Sequence, residues 1–163
     1  MIREGPRAPA RRPHIGEATA HGLGTAIRSL SDRLGGLDAI TAVVRAVADR
    51  QMNDDRISQK FARTDMDRLI KEFVDQICEA TGGPCKYTGQ NMTEAHQKMG
   101  VTNGEFEAFV DDVVVVLNDF KVGKAEQDEL LDVLAPLRGE IVEIDSNQTG
   151  TPLPSEFTPA PAL

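Results

Sequence analysis

Apolar residues recur at helical spacing in four long segments of this 163-residue chain. In the first, which follows Gly35-Gly36, the residues Ile40, Val43 and Val47 share one face, as the 3.6-residue period of an α-helix requires. The run Val113–Val116 alone would favour a strand, but the helical period on both sides of it outweighs that signal. The pattern therefore predicts an all-α fold with five or six helices. The other long segments are about 65–80, 103–120 and 124–141, and a short one covers about 92–98.

The two ends of the chain differ in composition from its middle. Residues 1–29 carry five Arg, two Glu and three Pro, and residues 145–163 carry four Pro and no Lys or Arg. Segments of this composition bury too little apolar surface to fold by themselves. We therefore predict a disordered or loosely attached extension over 1–29, a folded domain over 30–144 and a disordered tail over 145–163. The Arg-rich segment 1–28 is either a plain basic tail or a docking site for a partner.

Charge and composition exclude several classes of function. The net charge of −8 would repel a phosphate backbone, and the absence of Trp with 4% aromatic residues leaves few platforms for base stacking. No run approaches the roughly 20 apolar residues of a transmembrane helix, and no secretory signal peptide is visible. We expect no nucleic-acid or membrane partner, a cytoplasmic location and, because no large apolar stripe is left over from packing, a monomer.

Cys78 and Cys85 bracket a predicted helix end and the turn Gly82-Gly83-Pro84. A reversing turn permits the Cα separation of about 4.4–6.8 Å that a disulfide needs. The pair is either two incidental thiols or a disulfide that pins the turn. A disulfide would indicate an oxidising compartment, which conflicts with the lack of an export signal.

His96 is the single His of the predicted domain, on the short helix between Met92 and Met99. Because its face is apolar, it is either a core side chain with one hydrogen bond or a ligand for a metal or a haem. A zinc site is disfavoured because no second His or Cys stands at ligand spacing. A haem iron needs only one proximal His, and the absence of C-x-x-C-H excludes covalent c-type haem.

Five sequence motifs resemble those of group I truncated haemoglobins, in the same order and at the same separations. They cover about residues 30–144, and the run from Gly82 to His96 is the most specific part. The motifs are Leu34-Gly35-Gly36 with Ile40; Phe61 with Thr64-Asp65-Met66; Gly82-Gly83-Pro84 with Tyr87-Thr88-Gly89; Met92-Thr93-Glu94-Ala95-His96; and Leu134-Ala135-Pro136-Leu137.

The resemblance implies a truncated globin-like two-over-two helical sandwich around haem b. It implies that His96 is the proximal iron ligand and that Phe61 packs on the porphyrin face. The apolar face around His96 agrees with this role, since a haem needs apolar walls beside one imidazole. The further haem contacts that it implies are Thr64, Met66, Tyr87 and Met92.

The positions that should face the gas ligand, on the distal side of the haem, depart from the family. Group I members usually place a Tyr on the second helix, whose hydroxyl donates a hydrogen bond to O2, and Ala48 stands there in this chain. None of the five ligand-facing side chains that the alignment gives can donate a hydrogen bond. They are Val47, Ala48, Leu69, Phe73 and Ile77.

A missing donor has a consequence for gas affinity. A hydrogen bond to polarised O2 contributes about 1.5–3 kcal/mol, which corresponds to about 10- to 100-fold in affinity. We therefore expect weak O2 binding and relatively favoured CO or NO binding. We also expect no internal sixth iron ligand, because Glu72 stands at the position where some relatives have one, with the neighbouring Lys71 as the alternative. If a donor has been overlooked, the candidates are Gln51, Glu72 and Gln76, each within one helical turn of the distal positions.

These features favour a haem-binding globin that handles a diatomic gas by binding, sensing or redox detoxification. We expect no dedicated enzymatic activity, although a nitric oxide dioxygenase-like reaction with an electron-donating reductase is an alternative that the resemblance suggests. The rival interpretation is a haem-free helical interaction module on the same scaffold. His96 discriminates the two, because a scaffold that serves only for interaction has no need of a proximal ligand.

Overall fold

The computed structural model describes residues 28–160, which form helices joined by loops, with one isolated bridge between Thr102 and Ile144 in place of a sheet. The prediction of an all-α fold is confirmed. Most of the predicted N-terminal extension, residues 1–27, lies outside the described residues. The α-helices are α1 Leu30–Arg33, α2 Gly36–Met52, α3 Met66–Ala80, α4 Met92–His96, α5 Asn103–Asp119, α6 Lys124–Leu134 and α7 Arg138–Ile141, with 3₁₀ helices at Ser58–Phe61 and Ala135–Leu137.

Short polar side chains start most of these helices. Asp65 accepts a hydrogen bond from the backbone N–H of Arg68 at the start of α3, and Asn91 accepts one from Glu94 at the start of α4. The helix α2 differs, because it begins after Gly35, whose φ of 104° lies in the left-handed region. At the other end of the domain, the last predicted helix is interrupted at Pro136, which lacks the backbone N–H that an uninterrupted helix needs.

The core lies between two layers of helices. One layer consists of α2 and α3, which pack against each other. The other layer consists of α5 with α6 and α7, and α5 packs against α2. Val44 and Val47 of α2, Ile77 of α3, and Val113 and Leu117 of α5 meet there and are buried. This is the arrangement expected of a two-over-two sandwich. Within residues 28–160, no helix combines the length and the apolar character that crossing a bilayer requires.

Cys78 and Cys85 form a disulfide, with their Cα atoms 5.6 Å apart. The bond ties the last turn of α3 to the loop that leads toward α4. Gly83 makes this close approach possible, since a Cβ atom there would lie 2.7 Å from the Cys78 sulfur. Of the two alternatives left open by the sequence, the structure contains the disulfide.

The segment 145–160, here called the C-terminal strap, corrects the prediction of a disordered tail over 145–163. It packs along the domain and closes backbone hydrogen bonds with it, from Gly104 N–H to Ser146 O (3.1 Å) and from Gly150 N–H to Arg56 O (2.6 Å). The composition of the strap gave no sign of this, because its partners lie about 40 to 95 residues earlier in the chain. Residues 161–163 lie outside the described residues.

A buried ion pair joins the strap to the helices. The Lys60 ammonium lies 3.6 Å from Glu105 Oε2, and the two side chains are 5% and 1% exposed. Lys60 Nζ also donates to the carbonyl oxygens of Met99 (3.0 Å), Gly100 (3.2 Å) and Pro152 (3.2 Å). Glu105 Oε1 accepts from the backbone N–H and the hydroxyl of Thr151, at 2.8 and 2.6 Å. Each charge therefore has several partners, as a buried charge needs.

Replacing Lys60 by Met should strongly destabilise the protein, because the Glu105 carboxylate would stay buried without its cation. We expect the free energy of unfolding to fall by about 3–5 kcal/mol, measured by urea titration followed by circular dichroism. The double variant Lys60→Met/Glu105→Gln should recover part of this loss. Lys124→Met is the matched control, since Lys124 is 79% exposed in its pair with Asp128 and such pairs contribute about 0–1 kcal/mol. Equal losses of unfolding free energy for Lys60→Met and Lys124→Met would contradict a structural role for the buried ion pair.

Removing the disulfide should cost less, because the loop that it closes is short. The double variant Cys78→Ala/Cys85→Ala should lose about 2–3 kcal/mol of unfolding free energy in urea. A reductant should lower the stability of the unaltered protein and leave the double variant unchanged. If the reductant affects both proteins equally, the two cysteines are not joined.

Candidate functional site

A cavity of about 220 Å³ lies where α3, α4 and α5 meet the C-terminal strap. Its walls are mainly aromatic and aliphatic. Phe73 of α3 and Phe106 of α5 both pack against Phe109, with ring centres 6.1 and 5.9 Å apart respectively. The polar residues on its wall are Gln51, Lys60, Thr64, Asp65, Arg68, Glu72, Gln76, Tyr87, Gln90, His96 and Glu105.

The structure brings seven of the eleven predicted site residues to this cavity. They come from the 3₁₀ helix and the loop after it, from α3, from the disulfide-bonded loop and from α4, so that residues 35 positions apart face one space. The seven are Phe61, Thr64, Leu69, Phe73, Tyr87, Met92 and His96.

The other four predicted residues lie elsewhere. Val47 and Ile77 line a smaller neighbouring cavity of about 30 Å³, which shares Phe73 and Leu134 with the first as wall residues. Ala48 is 5% exposed and lines neither cavity. Met66, the first residue of α3, lines neither cavity either.

His96 is the residue of the cavity that is equipped to hold a metal. It is the last residue of α4, and its Nδ1 lies 2.8 Å from the carbonyl oxygen of Met92. A carbonyl only accepts, so Nδ1 carries the proton and Nε2 keeps its lone pair. Burial lowers the pKa of the His96 imidazole, against the opposing effects of the Met92 hydrogen bond and the Glu143 charge. The ring is thus held in its neutral form, which is the form that binds metals.

The residues around His96 fit a haem better than a bare metal ion. Among residues 28–160, no group of three or more His, Cys, Asp or Glu side chains could hold an ion. A haem needs only one protein ligand for its iron and a largely apolar slot for its macrocycle. One oriented imidazole beside the Phe and Met side chains of the cavity meets both requirements.

The disulfide-bonded loop brings Tyr87 to the cavity. The backbone N–H of Tyr87 donates to Glu79 Oε2 at 2.7 Å, and its hydroxyl donates to the carbonyl oxygen of Gln90. Burial raises the pKa of the Tyr87 hydroxyl, with a further increase from the charge of Glu72. The phenol therefore stays protonated and keeps its hydrogen bond to the loop.

Two buried polar groups of the cavity lack a partner within the protein. Gln51 of α2 is 3% exposed, and its Nε2 makes no hydrogen bond. Arg68 of α3 binds Glu72 Oε1 through Nε at 3.0 Å, but its Nη1 is buried and free. Unpaired buried donors are rare, so they suggest an acceptor that belongs in the cavity. The sequence marked Gln51 as a donor candidate by its spacing, whereas nothing in the sequence indicated Arg68.

The C-terminal strap adds residues that the sequence analysis missed. Phe157, Pro159 and Ala160 line the cavity, and Phe157 is 4% exposed. A single aromatic residue in a Pro-rich tail carries no periodic signal, so its burial could not be predicted. Met99, Phe106 and Phe109 also line the cavity and were not among the predicted site residues.

Comparisons with known proteins show the family to which the chain belongs. The family described as bacterial-like globin matches residues 29–143. A group 1 truncated hemoglobin of Tetrahymena pyriformis is 31% identical over 115 residues, which cover 71% of this chain and 95% of that protein. A group 1 truncated hemoglobin of Mycolicibacterium paratuberculosis is 34% identical over 113 residues, which cover 69% and 83% of the two chains.

Solved structures give the same result. The crystal structure of the Tetrahymena pyriformis truncated hemoglobin in its Fe(III) form has a TM-score of 0.68, and the match covers 71% of this chain and 98% of that one. The 2/2 hemoglobin of Synechococcus sp. PCC 7002, crystallised with covalently attached heme, has the same TM-score at 26% identity and the same coverage. The two-over-two fold is thereby confirmed. By sequence and by structure, this chain belongs to the bacterial-like globin family, among relatives that are group 1 truncated haemoglobins.

Proposed function

We propose that this protein binds haem b in the cavity through His96 and uses it to bind a diatomic gas such as O2, CO or NO. The observation that carries the proposal is the imidazole of His96, whose Nδ1 is engaged by Met92 O while its Nε2 is free beside apolar walls. Haem iron, when bound, supplies an open coordination position for the gas. Group 1 truncated hemoglobins among the relatives support this assignment.

The walls of the cavity suit the two kinds of surface of haem b. Phe61, Phe73 and Met92 offer apolar side chains to the macrocycle and exclude water from it. The propionate groups need cations or hydrogen-bond donors. Arg68 is 14% exposed and has a buried Nη1 without a partner, so its guanidinium can bind a carboxylate at the rim of the cavity.

On the distal side, we propose that Gln51 takes the place of the missing tyrosine as donor. Leu69 and Phe73 line the cavity with side chains that cannot donate a hydrogen bond, and Ala48 does not line it. Gln51 lines the cavity with a buried amide that has no partner, so it can donate to a polar ligand at no cost to another hydrogen bond. O2 would then be held by one amide, and the low affinity expected for a pocket without any donor would be partly offset.

The physiological role that we propose remains gas binding, sensing or redox detoxification. A redox role requires an electron-donating reductase as a partner. The alternative of a haem-free interaction module has no structural observation in its favour, because such a module would not need the anchored ring of His96.

Replacing His96 by Ala should abolish the normal haem spectrum. We expect the unaltered protein, supplied with haem, to show a Soret band and a five-coordinate reduced form, and the variant to lose haem affinity. Free imidazole should restore the spectrum of the variant, because it can occupy the space that the side chain leaves. Circular dichroism should show unchanged helix content. A variant that keeps the same spectrum without imidazole would contradict the role of His96, and a folded unaltered protein without a Soret band would favour the haem-free module.

Replacing Gln51 by Leu should speed O2 release by about 10- to 100-fold, since one hydrogen bond to a polarised ligand is lost. CO release should change little, because CO is less polar when it is bound. Stopped-flow measurements of both gases test this. Gln76→Leu is the matched control, as Gln76 also lines the cavity and no unpaired buried atom marks it. If O2 release is already fast and both variants leave it unchanged, the distal side has no donor.

A further inference from the structure

The C-terminal strap lies outside the family match yet forms part of the proposed haem site. The match ends at residue 143, and the strap begins at residue 145. Phe157, Pro159 and Ala160 nevertheless line the same cavity as His96, and Phe157 is as buried as a core residue, at 4% exposure. This chain has therefore added a wall to the cavity from sequence that the family pattern does not include.

The strap is fixed to the two segments that the proposed function places against the haem. Lys60 Nζ donates a hydrogen bond to Pro152 O at 3.2 Å, and Lys60 directly precedes Phe61. The same ammonium holds the carbonyl oxygens of Met99 and Gly100, which follow the helix of His96. One buried cation thus ties the strap to the chain before Phe61 and to the chain after His96.

A second set of contacts holds Phe157 itself. Arg63 Nη2 donates to Pro154 O at 2.6 Å, and the Arg63 guanidinium carbon lies 5.8 Å from the centre of the Phe157 ring. The backbone N–H of Phe157 also donates to Pro154 O, at 3.2 Å. The ring is therefore oriented by contacts with Arg63, which stands two residues after Phe61. These contacts are separate from the hydrogen bonds of Lys60.

We propose that the C-terminal strap is a haem-retaining wall, in which Phe157 covers part of the apolar edge of haem b and slows its loss. The proposal rests on the proposed haem-binding function. Its physical basis is that haem can leave only as water enters the cavity, and an apolar ring held at the wall raises the cost of that exchange. Burying a Phe side chain favours the closed state by an amount that corresponds to about tenfold or more in an equilibrium constant.

The test is the rate of ferric haem transfer from the full-length protein to an excess of a haem-free acceptor globin. Phe157→Ala should release haem at least about tenfold faster than the unaltered protein, and Phe157→Leu should lie between the two. Arg63→Ala should also speed the loss while keeping the ring. Phe120→Ala is the matched control, because it makes the same change at a ring that is 46% exposed and does not line the cavity, and it should leave the rate unchanged.

A second readout does not depend on the kinetics of haem. Hydrogen exchange at the backbone amides of Gly150 and Thr151, which donate to Arg56 O and Glu105 Oε1, should be slower in the haem-bound protein than in the haem-free protein. The Phe157→Ala variant should lose this difference. The same exchange measurement shows whether the strap stays packed when the ring is removed, so a variant that merely unfolds is recognised.

The outcomes separate this proposal from the proposed function. If the unaltered protein binds haem through His96 but Phe157→Ala and Phe120→Ala lose it at the same rate, the retaining role is overturned and the haem function stands. If the unaltered protein binds no haem, both fall together. Faster loss in Phe157→Ala and Arg63→Ala, with haem-dependent protection of the strap, supports the proposal.

Discussion

The ammonium group of Lys60 is buried where four parts of the chain meet. It faces the Glu105 carboxylate of α5, the carbonyl oxygens that follow α4, and Pro152 of the C-terminal strap. A buried charge is costly unless hydrogen-bond partners surround it, so these segments must keep their relative positions for Lys60 to stay charged. The cavity lies between those segments. Its shape on this side is therefore set by a polar cluster, whereas the core between α2, α3 and α5 is set by aliphatic packing.

Two features of α4 suit His96 to the ligand role that we propose. The helix is only five residues long, so the backbone turns away directly after the imidazole and the ring can face the cavity. The carbonyl oxygen of Met92, one turn earlier, fixes which ring nitrogen is protonated. The helix thus supplies both the proposed ligand and the group that orients it, and the apolar cavity keeps the ring neutral.

The polar atoms left without partners have a common location. Gln51 Nε2 and Arg68 Nη1 both belong to residues on the cavity wall, one on α2 and one on α3. In a closed protein core such donors would be costly. In a cavity that receives a haem with two carboxylates and a polar gas ligand, each has a partner available. The proposed function therefore accounts for the apolar walls and for their polar exceptions together.

The amino-acid sequence alone was enough to predict the long helices and to indicate His96 as the proposed ligand. Helical periodicity predicted α2, α3, α5 and α6, since the spacing of apolar side chains along one helix is a local property, and the motif from Gly82 to His96 predicted the ligand and Tyr87. Which residues of α2 reach the cavity depends on how the helices pack, and the sequence did not show it. Gln51 lies one turn after Val47 on the same face of α2, and it lines the larger cavity. Val47 lines the smaller cavity instead, and Ala48 is buried and lines neither.

The order of the C-terminal strap and the pairing of the two cysteines also depend on tertiary contacts. The strap has no apolar period of its own, and its order depends on Lys60 and Glu105, whose burial arises from contacts across more than 40 residues of sequence. Cys78 and Cys85 stand at a spacing that permits a disulfide, but only the course of the Gly82-Gly83 turn brings them together. Local sequence patterns determine where the helices form and indicate which residue types could bind a cofactor. Which side chains share a cavity depends on contacts between distant segments, because these contacts arise only when the helices pack.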